Sequence, residues 1–359
     1  MNYIGIDLHR RFSQFYVYDD QKNTESTQRI NNDKPAIQQF LEPLGDECKI
    51  AVEATGNWYW LVDLLQDLDL EVRLANPLQT KVIAHARAKN DKIDARMLAH
   101  LLRTNLLPTC WIPEKEERNM RELLRIRLRL LRFRTQHKNY LRSILAKFNI
   151  TIDYRNIWRG SGRDVLETYI TPTERQTLEH ITLPTPYREA TKQVLRNIDF
   201  LSDQIEYWEK IINNQADQSA DAQHLLTVPG IGKLSALTIL YETGPVDRFP
   251  CAKHYASYAG MVPRTMISAN KHRHGHLFKQ SNMYLKRIYI ETAKHILHTQ
   301  HSDIRLRDFH NRLSKRKGNG IATVALARKI AMIVYHMLKE KIDFATAMTR
   351  NQMAGPASV

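Results

Sequence analysis

The chain has 359 residues, 43% hydrophobic and 25% charged, a balance that excludes global disorder and implies two or three domains rather than one core. Lysine and arginine outnumber aspartate and glutamate by 53 to 38, a net charge of +15, which points to a polyanionic partner, either nucleic acid or an acidic membrane surface. Three scattered cysteines (Cys48, Cys110, Cys251) exclude a disulfide scaffold and a thiolate zinc finger, no uncharged apolar run nears the roughly 18 residues of a membrane helix, and Asp7 interrupts the first apolar run, so a cytoplasmic protein is expected.

Residues 3–8 and 12–18 predict a β-hairpin, with a third strand near 25–30. A helix follows from Asp33 to about Leu41, with Pro35 in its first turn. Residues 48–53 predict a buried strand ending on Glu53, then a helix from Trp58 to about Leu68 and a strand at 70–75, stopped by Asn76-Pro77. This order predicts a mixed sheet with helices on its faces. Residues 91–103 predict a helix, with Ile93, Met97 and Leu101 forming an apolar line.

From Glu114 to about Asn149 there is no proline or glycine, which predicts one long helix. Residues 115–150 carry 11 lysines and arginines against three acids. Residues 187–217 are again free of proline and glycine and are expected to return antiparallel as a helical hairpin. Further helices are predicted at 234–243, 251–259, 281–299 and 321–340, around a polar, basic and poorly periodic stretch at 261–278. The expected fold class is α/β plus all-α. Its segments are 1–110, a basic helical hairpin at 111–220, a mostly helical 221–345 and a flexible tail at 346–359.

Four carboxylates attract attention. Asp7 closes the first strand and Glu53 a later one, so both can reach the same sheet edge. Asp91 and Asp94 stand at i and i+3 on one helix face. Four converging acids repel unless a cation neutralises them, and hard oxygen ligands suit Mg²⁺ or Mn²⁺. Two such ions roughly 4 Å apart are a standard device for phosphodiester chemistry. Each acid also has a plainer role: a turn or cap for Asp7, a residue before a turn for Glu53, and an N-cap and first-turn acid for Asp91 and Asp94.

Val228-Pro229-Gly230-Ile231-Gly232-Lys233 has the pattern of a helix-hairpin-helix. Its glycines let backbone amides approach a phosphate, and Lys233 adds charge. Such contacts position DNA without reading its sequence; the alternative is a plain helix–helix turn. On the long basic helix, Arg121, Arg125, Arg129 and Arg132 suggest nucleic-acid contact. Nothing intrinsic marks Ser268 as a nucleophile, although Arg264, Lys271 and Arg273 around it suit a phosphate's developing charge. His272, His274 and His276 alternate, but without a second ligand cluster they are better read as phosphate contacts or a solvated loop.

Tyr3-Ile-Gly-Ile-Asp7, Glu53-Ala-Thr-Gly, Asn76-Pro77, Asp91-Lys-Ile-Asp94-Ala-Arg, Pro229-Gly-Ile-Gly, Ala256-Ser-Tyr-Ala-Gly260 and Pro263-Arg264 followed by Ser268 occur in that order. Together they closely resemble the insertion-sequence-110 family of DEDD transposases, which includes Piv-type DNA invertases. The resemblance covers about residues 3–340. It implies a RuvC-like (ribonuclease-H-like) N-terminal domain, a coiled-coil insertion and a C-terminal transposase domain. It implies that Asp7, Glu53, Asp91 and Asp94 bind divalent metal, and that Ser268 forms a transient phosphoserine link to DNA. It also implies a homodimer or homotetramer, and for many members a structured guide (bridge) RNA. One departure is Ser268-Ala269-Asn270-Lys271, where the family commonly has Ser-Gly-x-Ser.

Overall fold

The structure is a computed structural model. It describes residues 1–45, 47–83, 90–152, 157–171, 183–268, 271–278, 280–299 and 303–353, with the backbone alone at 265–268, 271–274 and 351–353. The chain forms two compact units, Met1–Pro113 and Glu114–Val359.

The first unit opens with an antiparallel meander of β1 (Asn2–Leu8), β2 (Phe12–Asp19) and β3 (Thr24–Asn31). It continues through α1 (Lys34–Leu41), β4 (Cys48–Glu53), α2 (Tyr59–Asp67), β5 (Glu71–Ala75), α3 (Pro77–Ile83), α4 (Asp91–Arg103) and β6 (Thr109–Cys110). The strands lie in the order β3-β2-β1-β4-β5-β6, with β1, β4 and β5 parallel. The proline expected to stop β5 also opens α3, where the Asn76 carboxamide oxygen accepts from the amides of Leu78 and Gln79.

Strand alternation sorts the two faces of this sheet. Ile4 and Ile6 of β1, with Ile50, Val52 and Leu74, bury one face under Ile37 of α1 and Leu61, Val62 and Leu65 of α2. The opposite face presents Gly5, Ala51 and Ala75, against which α4 lays Ala95, Leu98 and Ala99. Of the expected apolar line, Leu101 is buried while Ile93 and Met97 are only half-buried; the face that docks on the sheet is the small one. A Cβ added at Gly5 would stand 1.9 Å from the Ala95 carbonyl oxygen, a backbone atom that no rotamer change can remove. Gly5→Ala is therefore expected to destabilise the first unit by at least about 2 kcal/mol, read as a lower denaturation midpoint. An unchanged midpoint would show that α4 does not dock on this face.

The second unit holds α5 (Lys115–Lys147), α6 (Ser161–Thr168), α7 (Thr185–Gln218), α8 (Ala220–Leu226), α9 (Lys233–Thr243) and α10 (Ala252–Tyr258). A two-stranded hairpin follows, β7 (Pro263–Ser268) and β8 (Lys271–Leu277), then α11 (Met283–His298), α12 (Ile304–Lys317), α13 (Asn319–Glu340) and α14 (Phe344–Met353). A capping box between Glu114 and Glu117 starts α5. This helix runs 33 residues and packs on the 34-residue α7, Leu141 and Leu145 meeting Val194, Leu195 and Ile198. By length and composition alone α13 suffices to cross a membrane. Its apolar residues, among them Leu326, Ile330, Val334 and Met337, are the buried core of this unit.

Three local expectations change. The stretch 261–278 contains a β-hairpin, invisible as alternation because its strands are mostly polar. Residues 304–317 form a helix that buries only Leu306 and His310 and so leaves a weak periodic signal. The tail expected to be loose from 346 is helical through Met353, with Ala347 and Met348 buried in the core; residues 354–359 lie outside the described residues.

Candidate metal centre

Gly5 and Asp7 lie on the same face of β1, so the close approach that seats α4 over Gly5 carries the helix N-terminus over Asp7. Asn90, not Asp91, caps that helix: its side chain accepts from the Lys92 amide. Asp91 is thereby free of the capping role and turns toward the sheet edge. There the Asp7 and Asp91 carboxylates and the His9 imidazole each present a ligand atom, all within 4.8 Å of one another. His9 Nε2 lies 3.1 Å from Asp7 Oδ2 and 3.2 Å from Asp91 Oδ2. This nitrogen is buried, yet neither approach has hydrogen-bond geometry. The three ligand atoms thus lie close enough together for one ion to bridge them.

The other two expected acids, Glu53 and Asp94, are not among these three; Asp94 is near enough for its charge to act on Asp7, and Glu53 is placed by strand register alone. Asp7 and Glu53 stand one step past the Ile6–Val52 pair, at the carboxyl ends of neighbouring parallel strands. Asp94 is one turn beyond Asp91. Asp7 is 7% exposed, and burial holds its carboxyl above the usual carboxylate range. His9 opposes that shift, while the charges of Asp94 and Asp91 add to it. A divalent cation would relieve this repulsion, because it would compensate the carboxylates that burial and mutual repulsion disfavour. The donor set could hold such an ion: two carboxylate oxygens are hard ligands, and the imidazole nitrogen is a common metal ligand beside them. His9 was missed by the sequence reading. The usable signal was its spacing: two residues after Asp7, it stays on the same side of the chain as β1 ends.

The basic residues divide differently. Arg121 is buried, its Nε donating to the Tyr241 carbonyl at 2.6 Å and Nη2 to that of Glu242 at 3.2 Å. Arg125 forms a two-pronged pair with the Glu242 carboxylate at 2.8 and 2.9 Å. These two arginines are engaged inside the second unit. Arg132 is exposed, as is Arg129, which lies 3.9 Å from Glu122. At the expected helix-hairpin-helix, Gly230 takes φ +90° and approaches His295, where a Cβ would stand 2.9 Å from that residue's own Cβ. Gly232 is the N-cap of α9, and Lys233 pairs with Asp217 at 2.6 Å.

Ser268 ends β7 and pairs in register with Lys271 at the tip of the hairpin. Arg273 lies along β8 opposite Met266. Arg264, near the base, is exposed, its guanidinium 5.9 Å from the Phe278 ring centroid. The side chains of Ser268, Lys271 and Arg273 lie outside the described residues.

A family model for the IS110 DEDD transposases matches residues 4–150, and one described as transposase of the IS116/IS110/IS902 family matches residues 222–310. The chain is 27% identical to a probable family 20 transposase of Pseudomonas aeruginosa, over 94% of this chain and 97% of that protein. It is 24% identical to the transposase for insertion sequence element IS1328 of Yersinia enterocolitica, over 92% and 95%. It is 28% identical to the pilin gene-inverting protein of Moraxella bovis, over 60% and 56%. The first match contains the whole Asp7–His9–Asp91 group, and together the two models span more than half of the sequence: the chain belongs to the IS110 family of transposases.

Proposed function

We propose that this chain is a DNA recombinase that cuts and rejoins strands through a serine ester, with a divalent cation held by Asp7, Glu53, Asp91 and Asp94 beside His9. One observation carries the reading: acids from β1 and α4, together with His9, converge at the carboxyl ends of parallel strands. The strand order, with an antiparallel meander joined to parallel β4 and β5, supports a ribonuclease-H-like, RuvC-like first unit. A cation held there supplies electrostatic stabilisation of a phosphodiester's developing negative charge.

In this reading the Ser268 hydroxyl oxygen attacks phosphorus and gives up its proton. The bond from phosphorus to the departing strand's oxygen breaks, and that oxygen leaves as a hydroxyl end. The phosphoserine ester keeps the bond energy, so a second strand's hydroxyl restores the phosphodiester without an outside energy source. Arg264, Lys271 and Arg273 are the cations assigned to the phosphate. Gly230, Gly232, Lys233, Arg129 and Arg132 are assigned to backbone contacts. The +15 charge supports DNA as substrate and a structured guide RNA as partner, acting with a homodimer or homotetramer. The named activity of the Moraxella relative extends the proposal to inversion of a DNA segment.

A second reading is favoured by the carboxylate group itself, which suffices for hydrolysis: a metal-dependent structure-selective endonuclease in which Ser268 is structural. A denaturing gel of the protein mixed with target DNA, its co-purifying RNA and Mn²⁺ separates the two. The recombinase gives a protein–DNA adduct whose peptide maps to Ser268. Free 5′-phosphate and 3′-hydroxyl ends with no adduct would reject the serine ester in favour of hydrolysis.

A further inference from the structure

We propose that Asn57 is a positioning residue of the metal centre: its carboxamide, bound to the His9 carbonyl oxygen, holds the His9 imidazole beside Asp7 and Asp91, a role that rests on the reading of that group as a cation site. His9 stands where the sheet stops holding the chain. The β1–β2 ladder ends at the Leu8–Ser13 pair, and His9, Arg10 and Arg11 connect the two strands. The His9 amide donates to the Phe12 carbonyl at 3.0 Å, which closes the turn but leaves the His9 carbonyl beyond the ladder. A carbonyl oxygen can accept twice. Here it accepts from two carboxamides, Asn32 Nδ2 at 2.8 Å and Asn57 Nδ2 at 3.1 Å.

Both carboxamides are braced at their other end. The buried Ser13 hydroxyl donates to Asn32 Oδ1 at 2.6 Å, and the Thr55 hydroxyl donates to Asn57 Oδ1 at 3.0 Å. With its oxygen taken by a hydroxyl and its nitrogen by a carbonyl, each side chain has one orientation that satisfies both partners. The ring of His9 is supported separately. It lies against Phe12, with centroids 4.6 Å apart, and the Arg29 guanidinium stands 3.5 Å from the centroid of that same Phe12 ring.

The two asparagines differ in what they join. Asn32 follows β3, and its backbone amide donates to the Arg11 carbonyl at 3.0 Å, so it belongs to the same meander as the turn. Asn57 comes from the loop after β4, where the Thr55 amide donates to the Glu53 carbonyl at 2.8 Å. The β1–β4 pairing ends at Ile6 and Val52. Beyond that pair, Asn57 bonds the strand end that carries Asp7 and His9 to the one that carries Glu53. Groups that share an ion must be held to within about 0.5 Å of the productive geometry. Arg10 and Arg11 are exposed, so packing of the turn's own side chains does not supply that precision, and the clamp on the His9 carbonyl does.

Asn57→Leu keeps the shape of the side chain and removes the donor. Binding of Mn²⁺ to the full chain, without DNA, is followed by the loss of the free ion's paramagnetic resonance signal. Removing a hydrogen-bond partner of a metal ligand costs about 10–100-fold in affinity. With Asn32 still in place, Asn57→Leu is expected at the low end of that range, about tenfold. In a His9→Ala background the carbonyl remains but the imidazole is gone, and there the same substitution is expected to change affinity by less than about twofold. Equal losses in both backgrounds, or none in either, would overturn the role, since a general effect on the fold does not depend on the imidazole. If Asn57→Leu fails to fold, Thr55→Val removes only the brace on the carboxamide oxygen. It is expected to weaken binding with His9 present and not without it, and equal behaviour in the two backgrounds would overturn the role as well. A parent chain that binds no Mn²⁺ would instead sink the cation site itself. The clamp is read separately by nuclear magnetic resonance without metal. The His9 ring signal, identified by its absence in His9→Ala, is expected to shift in Asn57→Leu, and an unmoved signal would overturn the clamp whether or not the ion binds.

Discussion

Asparagine at position 7 is expected to abolish DNA strand cleavage while leaving the first unit folded. The substitution keeps size and removes charge from a side chain that is 7% exposed and ringed by His9, Asp91 and Asp94. The ionised carboxylate is a burden on the fold. A carboxyl whose folded pKa is raised binds its proton more tightly when folded, so ionising it costs stability. That cost is absent below the ordinary carboxylate pKa, grows as pH rises and is complete above the raised one. Without divalent cation, Asp7→Asn should therefore melt no lower than the parent and somewhat higher.

Function moves the other way. Losing several kcal/mol of metal-assisted charge stabilisation is a rate loss of about a thousandfold, at 1.36 kcal/mol per decade. In the parent, Mn²⁺ at a hundred times its dissociation constant should stabilise the fold by about 2.7 kcal/mol, and Asp7→Asn should flatten that response. Calorimetry with and without Mn²⁺, beside a cleavage assay, reads both. A variant that still cuts, or that gains the same thermal shift from Mn²⁺, would remove Asp7 from the metal centre.

The parts of this fold that were legible are those where burial repeats with the period of the backbone. Ile4 and Ile6 alternate with Gly5 and Asp7, and the long run after Glu114 lacks any breaker, so β1 and α5 follow from pattern alone. The α4 helix was legible but its docking face was not: hydrophobicity marks Ile93 and Met97, whereas close approach selects Ala95 and Ala99 opposite Gly5. Convergence of acids was readable as a possibility because strand ends and i, i+3 spacing are local. The histidine that completes the group is also local and was passed over. What stayed hidden is nonlocal. An arginine is the same letter whether it meets a phosphate or a carboxylate 117 residues away, as Arg125 meets Glu242.

That pair is where the second unit is most exposed to a single substitution. Glu242 is 1% exposed at the end of α9. Its carboxylate takes both prongs of Arg125 and a 2.7 Å donation from the Asn282 amide, while its carbonyl accepts from Tyr258 and Arg121. Asn282 in turn caps α11 through the amides of Tyr284 and Leu285. Its own amide donates to the Tyr258 carbonyl across the base of the β7–β8 hairpin. One carboxylate thus ties α5 to the turn that leaves the Ser268 hairpin. Arg125→Ala, which leaves the buried charge without its main partner, is expected to cost about 3–5 kcal/mol. Arg125→Met with Glu242→Leu removes both charges, and because desolvating an ion pair offsets much of its attraction, this double variant should recover part of that loss. Urea denaturation of Arg125→Met, of Glu242→Leu and of the double variant gives the coupling energy. If the double variant loses the sum of the two single losses, the two side chains are not coupled, and α5 is anchored by Arg121 and its carbonyl bonds instead.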